Sequence, residues 1–496
     1  MSRNTSIETL EPKSVWSIFA GIAAVPRPSK QEEKIRAHVH KVAEQFGFTV
    51  HEEPVGNLII DVPATPGREQ VPITVLQAHL DMVCEKNRST EHDFDHDPIK
   101  LVLGEDRPSG RPIVHADGTT LGADNGMGVA MALAAAASPD VVHGPLELLF
   151  TIDEEAGMSG AKALTPDSFK GRRLLNLDSE EDNCIYMGCA GGCDTNLTWD
   201  LKTSAVAAGS EVCKVVVEGL RGGHSGGDIH EGRANAIKLL IRTLRQAPGG
   251  TLQIAEISGG SKRNAIPREA HAIVSGPAGT IAVLQEAGAT VREEAVAESY
   301  EDGITIRIDP GEAESVATPE ATSRFLMAMA ALPDGVLGMH PKVPELVQTS
   351  NNISTVTSNF NGGLEIVVGT LSRSSSNSRI DALKDQIVST GLLGGAAAGH
   401  GNEYPGWEPN VDSALLAKCR RVYEKEFDEA PHVAAIHAGL ECGIIGQRVG
   451  HMDMVSFGPT IEGAHSPDER VYVDSVAKSW KYLVAVLAEL SQDTRP

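Results

Sequence analysis

The sequence predicts an α/β catalytic domain, with a mainly parallel sheet flanked by helices, interrupted by an inserted α+β domain. Three observations lead to this fold class. The chain has 496 residues, more than the roughly 250 to 300 at which a single core stops growing. In its first part, apolar strands alternate with helices, as in a parallel sheet covered on both faces. The pattern then changes to half-buried strands, and the first pattern resumes near the C-terminus.

The first part begins with a helical pattern and continues with three strands. The pattern is helical from Ser14 to Gly47, apart from a pause at VPRPS, and Gly47 is suited to end the helix. Strands are expected in VPITVLQAHLD, LELLFTIDEE and RRLLNLDSE, and each ends in acids or histidine. NGMGVAMALAAAA, between the first two, is a helix of small residues. In such sheets, function gathers beyond the carboxyl ends of the strands.

The inserted domain is expected to follow a soft linker, KTSAVAAGS. We expect the catalytic domain to comprise residues 1–205 and 406–496, and the inserted domain residues 206–405. Strands in EVCKVVVEGL, TLQIAEISGG and EAHAIVSG accompany a helix in RANAIKLLIRTLRQA. Strand and helix recur in GITIRIDPG with TSRFLMAMAAL and in GLEIVVGTLSR with SRIDALKDQI, without a repeat at the residue level. A helix in SALLAKCRRVYEKEF and a Gly-rich loop in HAGLECGII then follow.

Composition excludes several classes of partner. The formal net charge of -24 argues against nucleic acid and anionic membranes, because phosphate binding needs clustered Lys and Arg. Small zwitterionic or cationic molecules remain suitable substrates. Seven cysteines without a disulfide framework favour a reducing compartment. The N-terminus has no apolar signal-like run and no stretch reaches the roughly 18 apolar residues of a membrane span, so we expect a cytoplasmic protein.

Five stretches carry the candidate chemistry: AHLDMV, LGADNG, DEEAG, NLDSE and GAHSPDE. Their acids and histidines are His79, Asp81, Asp124, Glu154, Glu155, Asp178 and His465. Three of the stretches close a predicted strand, one opens a helix and one lies in a loop, so all can face one crevice. Taken singly, each acid is explained as a helix N-cap and each histidine as a hydrogen-bonded structural residue.

Taken together, these residues predict two divalent metal ions. Oxygen and imidazole donors without thiolates suit Zn²⁺ or Mn²⁺ in a hydrolytic role, and five donors exceed what one tetrahedral zinc requires. Two neutral histidines with Asp124, Glu155 and Asp178 bring three negative charges against four positive ones. One hydroxide completes the balance, and zinc lowers the pKa of bound water to about 7. Zn²⁺ is therefore the expected metal, with Mn²⁺ or Co²⁺ as alternatives.

The adjacent glutamates, Glu154 and Glu155, are expected to divide two tasks. One binds metal, and its neighbour takes the proton from water and passes it to the leaving amine. The chemistry of the pair leaves open which does which. Asp81 lies two residues after His79 on a strand, hence on the same face, and can hold the other nitrogen of the imidazole.

At these residues the chain resembles the metallopeptidase M20 family, most closely its aminoacyl-histidine dipeptidase branch, the cytosolic non-specific dipeptidases. The match runs nearly the whole length, in QAHLDMVCEKN, HDFDHDPI, TTLGADNGMGVAMALA, TIDEEAGMSGA, NLDSEE, GGHSGGDIHEGRANAIK, GGSKRNAIPREA, HAGLECGI and GPTIEGAHSPDERV. The resemblance implies a metal-dependent peptidase that cleaves unblocked dipeptides, including those with C-terminal histidine, as a homodimer formed through the inserted domain.

The resemblance also implies which residues hold each ion. His79, Asp124 and Asp178 hold one, while Asp124, Glu155 and His465 hold the other. Asp124 bridges the two ions and precedes a cis peptide bond. All five residues are present in this sequence.

Further roles are implied by the same resemblance. Glu154 is then the general base, and Asp81 is the partner behind His79. The inserted domain resembles the family's lid and dimerisation domain, whose histidine, here His224, polarises the scissile carbonyl from its own chain or from the partner chain. The residues that match substrate-binding positions are Asn264 and Arg373 for the carboxylate, and His437, Gly439 and Glu441 for the pocket and the free amine. For Arg373, a solvent-facing charge is an equal alternative.

Parts of the sequence also fit other functions or sites. GGHSGG fits the G-x-S-x-G motif of serine hydrolases at Ser225, although the next helix is expected only near Arg233. HDFDHDP is either a third metal site or, as we expect, a solvated acidic loop. A deacylase or aminopeptidase of the same family is a further alternative. A non-catalytic peptide- or metal-binding protein on this fold would lack the free base that Glu154 provides.

Overall fold

The computed structural model describes residues 7–248, 250–360 and 362–493. It divides the chain into two compact units. The first comprises Met1–Gly188, Pro409–Ala435 and Leu440–Pro496, and the second comprises Cys189–Glu408 and Ile436–Gly439. The domain borders expected from the sequence, at residues 205 and 405, stay a prediction.

An eight-stranded sheet forms the centre of the first unit. In spatial order, its strands are Thr49–Glu52, Leu58–Val62, Leu146–Thr151, Thr74–His79, Arg173–Asn176, Asp453–Ser456, Cys184–Cys189 and His432–Ile436. The third to sixth strands run parallel to one another, and the strands beside them are antiparallel. Three of the four parallel strands are those expected from the apolar runs, so the α/β class is confirmed.

Burial explains why the central strands are continuous apolar runs. Every residue of Thr74–His79 and of Leu146–Thr151 is buried, as expected for strands covered on both faces. The helices of this unit are Lys13–Ala23, Glu33–Gln45, Ala123–Ala137, Ser159–Ala163, Ala414–Phe427, Glu441–Val449 and Val473–Leu490, with a 3₁₀ turn at Ile7–Thr9. The Ala-rich helix Ala123–Ala137 packs on Thr74–His79. Gly47, at φ 79°, ends the second helix as predicted.

Two local predictions were wrong. The segment HAGLECGII was expected to be a loop, yet Glu441–Val449 is a helix. Burial of Cys442, Ile444 and Ile445 outweighs the roughly 1 kcal/mol that a glycine costs within a helix. The segment KTSAVAAGS was expected to be a linker, yet Thr203–Ala205 is a strand that pairs with Ser315–Ala317.

A small sheet beside the helices completes the first unit. It has four strands, in the order Ile461–Glu462, Arg470–Tyr472, Pro112–Ala116 and Leu101–Glu105. The first two strands form a hairpin, because Glu462 pairs with Arg470 and Ile461 with Val471. This hairpin carries the loop that contains His465.

The second unit is built on a nine-stranded sheet. Its strands, in spatial order, are Thr305–Pro310, Glu211–Glu218, Ala270–Gly276, Gln253–Gly259, Val347–Phe360, Leu364–Ser374, Gly191–Leu201 and Ala397–Tyr404, and Gly335–Met339 also pairs with Val347–Phe360. All these pairings are antiparallel. The helices are Ala236–Leu244, Thr280–Ser299, Pro319–Ala331 and Asn377–Leu393, with a 3₁₀ turn at Ile229–Glu231. Side chains of strands and helices share one core, so the α+β prediction is confirmed.

A pair of short strands, Gly223–His224 and Ala265–Ile266, forms a separate two-stranded sheet in this unit. Within the described ranges of both units, no helix combines the length and the apolar character that crossing a membrane requires.

Candidate active site

The carboxyl ends of three neighbouring parallel strands bring predicted site residues together in the first unit. His79 is the last residue of Thr74–His79. Glu154 and Glu155 follow the adjacent strand Leu146–Thr151, and Asp178 follows the strand on the other side. Because the carboxyl ends of parallel strands meet at one edge of a sheet, these side chains share one region.

Asp124 and His465 reach the same region from elsewhere in the sequence. Asp124 lies at the start of the helix Ala123–Ala137 with φ −79° and ψ 110°, outside the helical range. The peptide bond between Asp124 and Asn125 is cis, as the resemblance implies. Asn125 donates a hydrogen bond from Nδ2 to the carbonyl of Leu177 at 2.8 Å. This contact ties the helix start to the segment that precedes Asp178.

The two histidines contact opposite oxygens of Asp124. Nε2 of His79 lies 3.0 Å from Oδ1 of Asp124 and 3.2 Å from Oδ1 of Asp178. Nε2 of His465 lies 3.2 Å from Oδ2 of Asp124 and 3.0 Å from the carboxylate of Glu155. Asp124 therefore stands between two groups of donors, as a bridging carboxylate would.

The spacing of these donors fits metal ions. Among the described residues, donor atoms within 4.8 Å of one another form three groups: His79, Asp124 and Asp178; His79, Glu154 and Glu155; and Asp124, Glu155 and His465. Two ligands of one tetrahedral zinc lie about 3.3 Å apart, given zinc–ligand bonds of about 2.0 Å. The measured contacts of 3.0 to 3.2 Å are close to that value.

The buried carboxylate of Asp178 also suits a cation ligand. Oδ1 of Asp178 is buried, and its 3.2 Å contact with Nε2 of His79 does not have the geometry of a hydrogen bond. The side chain of Asp178 is only 5% exposed, so water cannot readily compensate this oxygen. A buried carboxylate oxygen in this state is unfavourable unless a positive charge lies near it.

Asp81 lies directly behind His79 and holds both glutamates. Its Oδ1 is 3.3 Å from Nδ1 of His79. The carboxylate accepts hydrogen bonds from the hydroxyl of Ser29 at 2.8 Å and from the backbone N–H groups of Glu154 and Glu155 at 3.0 and 3.2 Å. Although burial opposes it, the contacts with His79, Ser29 and Glu154 lower the pKa of Asp81 to about 2.

The protonation pattern shows how much negative charge the cluster concentrates. Burial raises the pKa of Glu154 well above its usual range and that of Glu155 to about 7. Hydrogen bonds to Asp124 and Glu155 raise the pKa of His465 to about 11. For His79, burial favours the neutral ring, but neighbouring carboxylates, chiefly that of Asp178, outweigh it and raise its pKa. The cluster therefore retains protons unless another cation is bound.

Comparison with known proteins identifies the family of this arrangement. A family model described as peptidase family M20/M25/M40 matches residues 75–489. The chain belongs to this family. It is thus a hydrolase that acts on peptide bonds, and the serine-hydrolase alternative is not needed.

Individual relatives extend over the full length of this M20 peptidase. The cytosol non-specific dipeptidase of Escherichia coli (strain K12) is 42% identical over 492 residues, which are 98% of this chain and 99% of that relative. The crystal structure of the aminoacylhistidine dipeptidase from Vibrio alginolyticus matches with a TM-score of 0.89 and 42% identity, covering 98% of each chain. A tripeptidase from Staphylococcus aureus, with a TM-score of 0.59 and 15% identity over 98% of this chain, shares the fold.

In the second unit of the peptidase, three predicted residues surround Gly226. A Cβ atom added to Gly226 would lie 3.0 Å from Cε1 of His224 and 3.3 Å from Nε of Arg373, and it would overlap the carbonyl oxygen of His437. Asn264 is close by, because its carbonyl accepts a hydrogen bond from the N–H of Ser225 at 2.8 Å. The second unit therefore contains its own group of polar residues.

Arg373 is 5% exposed, so the alternative of a solvent-facing charge was wrong. Its Nη1 donates to the hydroxyl of Tyr404 at 2.9 Å, while its Nε is buried with no hydrogen-bond acceptor among the described residues. Gly439 lies against the ring of Tyr404, because a Cβ there would be 3.0 Å from Cε2 of that ring. The guanidinium thus retains donor capacity in a buried setting.

His437 is a neutral imidazole beside this guanidinium. Burial, followed by the charge of Arg373, lowers its pKa to about 3. Its Nε2 lies 2.7 Å from the hydroxyl of Ser350. The Nδ1 atom is buried and has no hydrogen-bond partner among the described residues, so one nitrogen is available to another group.

His224 has a defined tautomer. Its Nδ1 accepts hydrogen bonds from the N–H groups of Gly227 at 2.9 Å and Gly226 at 3.3 Å. Although His224 is exposed, partial desolvation of its ring and the charge of Arg373 lower its pKa. The neutral ring therefore carries its proton on Nε2, which makes that nitrogen a hydrogen-bond donor.

Glu441, which was expected to line the substrate pocket, is a buried residue. It lies in the first unit, is 0% exposed, and accepts hydrogen bonds at Oε2 from Nε2 of Gln77 at 2.7 Å and from the hydroxyl of Thr151 at 2.5 Å. Burial raises its pKa to about 8. Its expected contact with the free amine of a substrate stays a prediction.

Alternative sites receive no support. The hydroxyl of Ser225 has no hydrogen-bond partner among the described residues, and the next α-helix begins at Ala236, so a strand-to-helix nucleophile turn is absent there. HDFDHDP, the stretch from His92 to Pro98, contributes no donor group that could hold a metal among the described residues. A zinc site made of thiolates at the neighbouring Cys184 and Cys193 is also disfavoured, because burial raises the pKa of these thiols to about 12 and about 11.

The sequence analysis missed several residues that support the site. Ser350 and Tyr404 contact predicted substrate-binding residues, and no motif singled them out. Glu469 lies within GPTIEGAHSPDERV, and Arg27 lies in the pause VPRPS. Glu469 could have been singled out, because it is a charged residue in a motif of the family and had no assigned role.

Proposed function

We propose that this M20 peptidase is a dipeptidase that hydrolyses unblocked dipeptides, including those with C-terminal histidine, with two divalent metal ions. The observation that carries the proposal is the position of Asp124 between His79 and His465. His79, Asp124 and Asp178 would hold one ion, and Asp124, Glu155 and His465 the other. Zn²⁺ suits these nitrogen and oxygen donors, and Mn²⁺ or Co²⁺ are alternatives.

When bound, such ions supply Lewis acidity at the scissile carbonyl and a nucleophilic water near neutral pH. Glu154 takes the proton from this water and delivers it to the leaving amine. Asp81 fixes the backbone of Glu154, while the carboxylate of Glu155 faces His465 and would be occupied as a ligand.

Binding of the substrate carboxylate is assigned to the second unit. Arg373 offers a buried guanidinium with donor capacity beyond Tyr404, and charge-assisted hydrogen bonds to a carboxylate are among the strong ones. Asn264 joins it, and His437 and Gly439 line the pocket. We assign the free amine of the substrate to Glu441. A substrate that uses both of these contacts must have a free carboxylate and a free amine.

His224 is proposed to polarise the scissile carbonyl through its Nε2–H group, which is the donor nitrogen of the ring. It acts from its own chain or from a partner in a homodimer formed through the second unit. We also propose a cytoplasmic location, because the Escherichia coli relative is named a cytosol dipeptidase.

A substrate panel tests the proposal. Purified enzyme supplied with Zn²⁺ is incubated with free dipeptides, some ending in histidine, with their N-acetylated forms, and with tripeptides. We expect rapid cleavage of the free dipeptides alone. The Glu154→Gln protein, purified in the same way, controls for a contaminating peptidase. Preferred cleavage of the N-acetylated compounds would indicate a deacylase, preferred cleavage of tripeptides an aminopeptidase, and no cleavage a binding protein.

A further inference from the structure

A buried carboxylate holds the turn that carries Asp124. Oε2 of Glu469 accepts hydrogen bonds from the N–H groups of Leu121 at 2.7 Å and Gly122 at 2.9 Å. Its Oε1 accepts from those of Ala123 at 2.8 Å and Asp124 at 3.4 Å. Glu469 is 2% exposed. It therefore fills the anion position at the start of this helix, where backbone N–H groups lack partners within the helix.

Arg27 holds the same turn from another direction. Its guanidinium donates to the carbonyl of Gly122, and also to the carbonyls of Leu80 at 3.0 Å and Asp81 at 2.8 Å. Gly122 has φ 69°, and a Cβ there would overlap the guanidinium. Arg27 thus links the turn before Asp124 to the segment that follows His79. The turn is therefore held on one side by Arg27 and on the other by Glu469.

Glu469 also belongs to the loop of the second histidine. His465 and Glu469 both lie between the paired strands Ile461–Glu462 and Arg470–Tyr472. The Nε2 atom of His465 is 3.2 Å from Oδ2 of Asp124. One short loop therefore contacts Asp124 twice. Its Glu469 accepts a hydrogen bond from the backbone N–H of Asp124, and its His465 contacts the carboxylate of Asp124.

We propose that Glu469 is a positioning residue that sets the distance between Asp124 and His465, and so the affinity of the metal site formed by Asp124, Glu155 and His465. This inference rests on the proposed two-metal function. Glu469 does not act as a ligand itself, because both of its oxygens are occupied by backbone N–H groups.

Glu469→Gln removes one of the two acceptor oxygens and turns an amide NH₂ towards backbone N–H groups. The turn then loses some of the hydrogen bonds that hold it, and the position of Asp124 relative to His465 changes. Residues that orient metal ligands typically change metal affinity about 10- to 100-fold when substituted. We expect a loss of that size at this site.

The test is a Zn²⁺ titration of metal-free protein in competition with a chelator. The wild type should bind two ions, and Glu155→Gln, which removes a ligand, identifies which step reports this site. Glu469→Gln should weaken that step about 10- to 100-fold. Glu469→Asp, whose shorter side chain cannot reach all four N–H groups, should also weaken it. Glu462→Gln is the matched control, because Glu462 lies on the same hairpin but bonds to Arg470 and Tyr472.

Folding is checked by circular dichroism, so that affinity is compared between folded proteins only. Wild-type affinity at both steps in either folded Glu469 variant would overturn the positioning role. Equal weakening by Glu462→Gln would overturn it as well, because the effect would then belong to the hairpin in general. If the wild type itself binds no second ion, the proposed two-metal function fails instead.

Discussion

Asp81→Asn perturbs the residue that holds the candidate site from behind. The carboxylate of Asp81 accepts from the hydroxyl of Ser29 and from the N–H groups of Glu154 and Glu155, and it lies 3.3 Å from Nδ1 of His79. Asparagine has one acceptor oxygen, so its NH₂ group must face at least one of these donors. A buried donor left without a partner costs about 1 to 3 kcal/mol, which corresponds to roughly 5- to 140-fold in an equilibrium constant.

Two measurements together report this free energy: zinc affinity by chelator competition, and thermal unfolding of the metal-free protein. We expect Asp81→Asn to weaken zinc binding, lower the unfolding temperature, or both, with a summed free energy in that range, and to lower kcat because Glu154 loses its anchor. Ser29→Ala is the matched control, since it removes one donor and leaves the carboxylate intact; its effect should be the smaller. An Asp81→Asn enzyme with wild-type zinc affinity, unfolding temperature and kcat would refute the reasoning.

Three further predictions concern the paired glutamates, the histidine of the second unit and a buried acid. Glu154→Gln should keep both metals and lose nearly all turnover, whereas Glu155→Gln should weaken one metal site; substantial turnover in Glu154→Gln would exclude it as the base. His224→Ala should lower kcat far more than it lowers metal content, and a normal kcat would exclude His224 from the mechanism. If mixing the His224→Ala and Glu154→Gln proteins restores activity, His224 acts across a dimer. Burial raises the pKa of Asp334 to about 6, so between pH of about 4 and about 6 the folded state binds more protons than the unfolded state, and stability falls as pH rises. Asp334→Asn should therefore raise the unfolding temperature at pH 8, which corresponds to a gain of at most about 3 kcal/mol in the free energy of unfolding. At pH 4 the unfolding temperature should be nearly unchanged. An equal gain at both pH values would contradict this explanation.

The sequence predicted the features that depend on local patterns. His79, Glu154 and Asp178 each follow a short apolar run, and parallel strands necessarily place such residues at one edge of a sheet. The inserted α+β domain was likewise predicted from half-buried strand patterns such as EVCKVVVEGL, and in the structure burial alternates along the strand Glu211–Glu218.

Features that depend on contacts between distant segments were not predictable in this way. The N–H groups around Asp124 bind the carboxylate of Glu469, far away in the sequence, and no local pattern encodes that pairing. Arg373 lies in a polar stretch that is typical of a surface loop, yet it is buried beside Tyr404. The helix at Glu441 forms because its apolar residues are buried, which the two glycines of the segment concealed.

The most direct test of the proposed two-metal mechanism is to follow hydrolysis of a free dipeptide while Zn²⁺ is returned to chelator-treated enzyme and the bound ions per chain are counted. We predict that no hydrolysis remains after chelation, that it recovers as the second ion binds, and that Glu154→Gln binds two ions without recovering it. Hydrolysis that persists in the metal-free enzyme, or that is complete with one ion per chain, would contradict the account.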